Sequence, residues 1–235
     1  MKKGKLYLIP STIGETKIDR VIPTYNSEII NNIDYYIVEE LRTARRYLKK
    51  AGIKKTIDEL TFYTLNEHTK DENIINYLEM IDKGNNIGLL SEAGVPCIAD
   101  PGADIVRIAQ EKNIEIIPLT GPSSIILSLM ASGFNGQNFA FLGYLPIDKK
   151  LRTDKLKEIE KNIYQNNQTQ IFIEAPYRNN QLIEAILNSC RNDSFLCIAS
   201  EITSENEFIK TKSIAEWKKT KYDFHKKNTV FLLYK

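Results

Sequence analysis

The sequence predicts an α/β protein of two domains, residues 1–120 and 121–235. Short apolar runs alternate with helix-like stretches along the whole chain, the pattern of parallel βα units. The chain has 235 residues, 42% hydrophobic and 26% charged, which is ordinary for a folded protein. That length accommodates two cores of roughly 110 residues each. The boundary falls at residues 120–122, where Gly121-Pro122 interrupts the alternation. No Gly/Ser-rich or Pro-rich linker intervenes, so the domains are expected to pack closely.

The elements follow in order. Residues 5–9 form an apolar first strand stopped by Pro10, and similar runs recur at 35–38, 61–63, 87–90 and 114–119. Helices are expected over 42–51, 71–83 and 103–112. The second opens on Asp71-Glu72, which favours a helix N-terminus, and ends before Gly84. Beyond Gly121-Pro122, a helix over 123–131 precedes strands at 140–142, 170–173, 196–200 and 230–234. The Asn/Gln-rich stretch 164–170 reads as a loop.

Lys and Arg number 32 against 30 Asp and Glu. A non-specific nucleic-acid coat is therefore excluded, and any site for a polyanion must be a local patch. The cysteines, Cys97, Cys190 and Cys197, are odd in number and match no zinc spacing, and only two His are present. No metal site is expected, and reduced thiols in a cytoplasm are the natural reading. The N-terminus passes directly into a strand too short for a signal sequence or a membrane span, so a soluble cytoplasmic chain without membrane contact is expected.

Ligands of open parallel sheets bind beyond the carboxyl ends of the strands. Four segments there are unusual: Pro10-Ser11-Thr12-Ile13-Gly14, Ser91-Glu92-Ala93-Gly94-Val95-Pro96 running on to Asp100-Pro101-Gly102, Thr120-Gly121-Pro122-Ser123-Ser124, and Glu174-Ala175-Pro176-Tyr177-Arg178. Gly94 and Gly121 permit close backbone approach, and Ser123-Ser124 offer hydroxyls and N–H groups at a helix start. One such loop alone would mean a turn. Four at one sheet edge point to a ligand.

These segments, with Phe141-Leu142-Gly143-Tyr144-Leu145-Pro146 and Ala199-Ser200-Glu201-Ile202-Thr203, resemble in order the tetrapyrrole methylase superfamily of S-adenosylmethionine methyltransferases. Within it they are most similar to the family that 2'-O-methylates a cytidine of small-subunit ribosomal RNA. The resemblance covers residues 5 to about 234. It implies a mainly parallel N-terminal sheet, a mixed C-terminal sheet, a donor in the cleft between the two domains, and a homodimer. S-adenosyl-L-methionine would be contacted by Pro10, Ser91, Glu92, Gly94, Val95, Gly121, Ser123, Ser124, Glu174, Ala199 and Ile202. Small-subunit ribosomal RNA is the implied partner.

The chain departs from the family pattern at three places. Glu92 stands where the family has Asp. Glu39-Glu40-Leu41-Arg42-Thr43-Ala44-Arg45 replaces an acidic-Asp-Thr-Arg-His-Thr-Arg segment, keeping charge and both arginines and losing a hydroxyl and a His. A C-terminal helical extension usual in the family has no counterpart before Lys235.

Transfer to a hydroxyl needs the nucleophile held near the methyl group and a base or cation to manage its proton. Glu39, Glu40 and Arg42, just after the second strand, and His68 of the Glu67-His68 pair are the catalytic candidates. Glu40 and the arginines are equally readable as a solvated ion-pair cluster, and His68 as a structural residue. Residues 42–55 hold seven basic residues and no acid, with Tyr47 among them. Arg42, Arg45, Arg46, Lys49 and Lys50 are therefore candidates for RNA phosphate, as are Lys149 and Arg152 and the basic stretch 210–227. Arg178 and Glu201 are either site residues or an interdomain ion pair. Two other functions remain open at this point: methylation of a tetrapyrrole or other small molecule, and a donor-binding paralogue without catalysis.

Overall fold

Ile87–Leu90 is apolar and buried at every position, as a strand covered on both faces must be. In the computed structural model, which describes residues 3–65 and 69–235, this strand is central to a five-stranded sheet. The strands are β1 (Leu6–Ile9), β2 (Tyr35–Val38), β3 (Thr61–Thr64), β4 (Ile87–Leu90) and β5 (Ile116–Pro118), in the order β3-β2-β4-β1-β5. Every pairing is parallel. All five carboxyl ends therefore share one edge, which brings the loops after β1, β4 and β5 together.

Four helices cover this sheet: α1 (Thr24–Ile30), α2 (Leu41–Lys50), α3 (Asp71–Asp82) and α4 (Gly102–Glu111). Two apolar clusters result. One unites Leu6, Ile37 and Leu89 with Ile74, Leu78, Ile105 and Ile108 from α3 and α4. The other unites Ile9, Tyr36 and Leu90 with Ile30 and with Ala44, Tyr47 and Leu48 from α2. Each fully buried Ile or Leu contributes about 1.5–3 kcal/mol. The Glu40 carboxylate accepts the Arg42 N–H at 3.0 Å and so caps α2.

The chain divides into two compact units, Met1–Ser123 and Ser124–Lys235. In the second, β6 (Phe139–Tyr144), β7 (Thr169–Ile173), β8 (Phe195–Ser200), β9 (Phe208–Ser213) and β10 (Thr229–Tyr234) form a sheet ordered β6-β7-β10-β8-β9. β6 pairs parallel with β7, and the other three pairings are antiparallel. The sheet is mixed, with the carboxyl ends of β6, β7 and β8 on one edge. Helices α6 (Lys149–Asn166), α7 (Asn179–Ser189) and α8 (Ile214–Trp217) supply one core, in which Trp217 is fully buried and donates from Nε1 to the Leu196 carbonyl at 2.8 Å. Helix α5 (Ser124–Ser132) supplies the other, through Ile125 and Leu129 against Ala199, Val230 and Leu232.

The stretch 164–170 differs from its reading as a loop. Tyr164–Asn166 is the last turn of α6, Asn167 caps it in the left-handed region at φ 51°, and β7 starts at Thr169. Its amides are occupied in joining elements: Gln168 Nε2 donates to Asn138 Oδ1 at 2.9 Å, and Gln170 Nε2 to Gln168 Oε1 at 2.8 Å. Strand β9 was hidden in the basic stretch 210–227. It lies at the sheet edge, where lysine on alternate positions suits a strand with one unpaired side.

Candidate functional site

The loop after β1 turns on Pro10, whose carbonyl accepts the Tyr47 hydroxyl at 2.7 Å. Next, the Ser11 N–H donates to the Gly94 carbonyl at 2.9 Å, and the buried Ser91 hydroxyl donates to the same carbonyl at 2.7 Å. Gly94 has φ 75°, the left-handed region that favours glycine, and a Cβ there would stand 2.9 Å from the Pro122 carbonyl oxygen. A Cβ on Gly121 would meet the Pro10 ring at 2.3 Å. The Asn26 amide holds the Thr120 carbonyl at 2.9 Å. Pro10, Ser91, Gly94 and Gly121 are thus brought into one knot of backbone, closed only because two of the residues lack a side chain. Val95 is half-buried beside it, and Ser123 and Ser124 lead into α5.

Along the same edge Glu39 follows β2 and Glu92 follows β4. The Glu92 N–H donates to the Glu39 carboxylate. Partial burial, then the nearby Asp100 and Glu92 charges, raise the Glu39 pKa above the ordinary carboxylate value. Asp100 is also raised, by burial, although it accepts the Cys97 N–H with both oxygens at 2.9 Å and the Gly102 N–H at 2.8 Å. Glu39, Ser91, Pro96, Asp100 and Gly102 line one crevice with Leu65, Leu89 and Leu90. Thr43 Oγ1 donates its one hydrogen to Glu92 Oε1 at 2.5 Å, with the Glu40 carbonyl also 2.9 Å away. Among the described residues, no group of three or more His, Cys, Asp or Glu is placed to hold a metal ion.

The second unit presents its own candidates. Glu174 follows β7 with its side chain fully buried, and Oε1 accepts from the Ala175 N–H at 2.7 Å and from Arg178 Nη2 at 2.7 Å. Arg178 therefore pairs within its own unit, which corrects its reading as half of an interdomain pair. Glu201 Oε1 likewise accepts the Asn228 N–H at 2.7 Å, in the same unit. Glu201 and Thr203 are left-handed, at φ 52° and 69°, so the turn after β8 is strained. Ile202 is buried in the α5 core.

The other candidates divide between core and surface. Ala199 is inside β8, paired with Val230 on one side and Ile209 on the other, and its side chain is in the core. The positions after it, Glu201 to Thr203, are the ones that leave the sheet. Arg152 is buried in α6 with Nη1 3.4 Å from the Ile147 carbonyl, so it presents no charge to a phosphate, whereas Lys149 is exposed. The helix period explains the difference: Arg152 shares the inward face with Leu156, Ile159 and Ile163. Tyr47 is a core residue. Arg42, Arg45, Arg46, Lys49 and Lys50 are all exposed on α2, with Arg45 over the Phe62 ring at 5.5 Å and Lys50 Nζ donating to the Thr16 carbonyl at 2.6 Å. Glu40 serves as a helix cap, which the ion-pair reading did not foresee. Glu67 and His68 lie outside the described residues.

Ser11, Thr43, Asp100 and Thr203 stand in the segments quoted from sequence but were not among the candidate contacts. Asp100 before Pro101-Gly102 had a usable signal, since Asp ahead of a helix binds the first N–H groups. Ser11 and Thr43 are fixed by partners distant in sequence, Gly94 and Glu92, and Thr203 by Glu207 four residues on. Ser11 Oγ, Glu174 Oε2 and Thr203 Oγ1 are buried without a hydrogen-bond partner, each in a loop directly after a strand.

Known proteins resemble the chain over most of its length. A sequence model of the tetrapyrrole (corrin/porphyrin) methylases matches residues 27–218. Ribosomal RNA small subunit methyltransferase I of Buchnera aphidicola subsp. Schizaphis graminum is 34% identical, over 99% of this chain and 78% of the relative. The proteins of the same name from Haemophilus influenzae and Escherichia coli O157:H7 are 32% and 30% identical, each over 91% of this chain and 72% and 71% of their own lengths. Among solved structures, the methyltransferase CobJ superposes with a TM-score of 0.64 at 13% identity, over 98% of this chain and 94% of its own. The cobalt precorrin-4 methyltransferase CbiF, a cobalamin biosynthetic enzyme, gives 0.61 at 12% with the same coverage. At that identity they share the fold. The chain belongs to the tetrapyrrole methylase family, among the ribosomal RNA small subunit methyltransferases I, and is a methyltransferase.

Proposed function

We propose that the chain methylates a ribose 2'-hydroxyl of small-subunit ribosomal RNA, with S-adenosyl-L-methionine as donor. The observation that carries the reading is identity of 30–34% to methyltransferases of that name across nine-tenths or more of the chain. Bound S-adenosylmethionine supplies an activated methyl group. The residues present fit such a ligand. In the first unit Pro10, Ser91, Gly94 and Gly121 make a close-set backbone cradle beside the buried, unpartnered Ser11 Oγ. The second unit has its own buried, unpartnered oxygens, Glu174 Oε2 and Thr203 Oγ1. Glu92, Val95, Ser123, Ser124 and Ile202 complete the proposed donor contacts.

The acceptor oxygen must lose its proton as it attacks. Glu39 suits that role, because its raised pKa makes it a stronger base than an ordinary carboxylate and it is only half-buried at the sheet edge. Arg42 is proposed to steady the adjoining phosphate, with Glu40 fixing the helix end that carries it. The exposed basic face of α2 and Lys149 supply further phosphate contacts. Exposed Ile126 and Met130 on α5 support a homodimer. No helix among the described residues is long and apolar enough to cross a membrane.

The test is transfer of labelled methyl groups from S-adenosylmethionine to small ribosomal subunits of a strain lacking its own methyltransferase I, with free precorrins as the competing acceptor. Label in ribose of the RNA is expected. Label in precorrin alone would replace the reading by the small-molecule one. Donor binding by calorimetry with no transfer to either would identify a non-catalytic paralogue.

A further inference from the structure

Strand β6 breaks register against β7 between Phe141 and Tyr144, and Gly143 at the break has φ 67°. Bulges of this kind re-aim the side chain that follows. Here the result is that Tyr144 projects outward, with 62% of its surface exposed. Beyond it Ile147 is 66% exposed, and Tyr177, on the turn after β7, is 59% exposed. Tyr144, Ile147, Ala175 and Arg178 line one open groove with Leu145 and Pro146. Exposed large apolar groups clustered at the carboxyl edge of a sheet mark a binding surface.

The Tyr177 ring is not loose. The guanidinium of Arg178 lies over it at 5.1 Å and donates from Nη1 to its hydroxyl at 3.0 Å. That guanidinium is in turn held by Nε and Nη2 on the fully buried Glu174, at 2.9 and 2.7 Å. An accessible aromatic ring held in place by its neighbours is the arrangement on which an unpaired base stacks.

We propose that Tyr144 and Tyr177 form a stacking platform for an unpaired base of the RNA that is methylated, with Glu174–Arg178 as the pair that positions Tyr177. The inference rests on the RNA reading above. Aromatic rings and a guanidinium serve single-stranded RNA in particular, because a duplex keeps its base faces hidden.

The experiment compares the full chain with Y144A, Y177A, the double Ala variant and the double Phe variant. The readouts are binding of a fluorescent single-stranded oligoribonucleotide of mixed sequence, binding of the same oligonucleotide annealed as a duplex, and KM and kcat on small ribosomal subunits. Calorimetry with S-adenosylmethionine and sedimentation velocity accompany them. The double Ala variant is expected to lose about 10- to 100-fold in single-strand affinity, from about 1–3 kcal/mol per stacked base. Its KM on subunits should rise while kcat and donor affinity hold, and the Phe variant should behave as the parent. Retained single-strand affinity in the double Ala variant would overturn the platform. So would an equal loss of donor affinity, which would make these rings a donor wall, or a change of oligomeric state that accounts for the RNA loss. A parent chain inactive on subunits defeats the RNA reading itself, whereas parent and double Ala variant equally active defeat this inference alone.

Discussion

The hydroxyl of Thr43 donates to the carboxylate of Glu92 at 2.5 Å. Both residues stand where the sequence departs from its family pattern, Thr43 in place of His and Glu92 in place of Asp. The two departures touch: a longer carboxylate reaches a shorter side chain. The contact spans 49 positions of sequence and ties the altered segment after β2 to the loop after β4.

The pair makes a measurable coupling. In a double-mutant cycle with Thr43→Val and Glu92→Gln, denaturant unfolding is expected to give an interaction of about 0.5–1 kcal/mol, small because the bond is solvent-accessible. Thr43→His with Glu92→Asp should retain more donor affinity than either change alone. Strict additivity in both experiments would show that the contact carries no coupling.

Glu39 predicts a pH-dependent stability. Its folded pKa is raised by burial and by the Asp100 and Glu92 charges, so the folded chain binds the proton more tightly than the unfolded chain. The destabilisation from the charged form is absent below the ordinary carboxylate range, grows as pH rises toward the folded value, and is complete above it. Glu39→Gln should therefore raise the thermal midpoint at neutral pH, leave it unchanged in acid, and slow methyl transfer. An equal shift at both pH values would assign the effect to packing.

The glycines separate close approach from mere presence in a loop. Gly121→Ala places a methyl group 2.3 Å from the Pro10 ring, and overpacking of this kind costs about 1–3 kcal/mol. Loss of stability and of S-adenosylmethionine binding is expected together. Gly136→Ala meets nothing within 4 Å and should leave both unaltered. Calorimetric binding and thermal unfolding of the two variants decide the matter, and a Gly121→Ala chain that binds normally would remove the cradle.

Salt dependence distinguishes the basic residues. Replacing exposed Arg46 or Lys49 by Ala should reduce the slope of log affinity against log salt for RNA by about one contact each. Arg152→Ala should leave that slope unchanged and lower stability, because its buried stem packs in α6. A changed slope for Arg152→Ala would mean that the side chain reaches RNA.

Met130 is the most exposed of the large apolar side chains named above, at 73%. Met130→Glu is expected to shift the chain from dimer to monomer in sedimentation velocity with its thermal midpoint preserved. A monomeric parent chain would end the dimer reading.

The strands of the first sheet were legible because their period and apolar runs are local properties. Tyr35–Val38 and Ile87–Leu90 fall where the sequence put them. Strand β9 was not, because at a sheet edge Lys210 and Lys212 alternate with Thr211 and Ser213 and the segment reads as a basic tail. The short helix α1 carries no distinguishing cap, since Pro23 at its start makes no side-chain bond.

Sequence by itself determined the alternation of strand and helix, the glycines and serines of the loops, and the family they belong to. All of these depend on residues near one another along the chain. The tertiary structure alone decided which side chains meet. It drew Thr43 to Glu92, turned Arg152 inward, closed Glu174 onto Arg178 and left Tyr144 exposed. A side chain's direction follows from its helix phase or strand register, and its partner from the packing of distant elements. The loop Ser91–Pro96 thus stood out from its residues as a candidate binding loop, but its carbonyl partners, its neighbouring acids and its place beside Gly121 required the fold.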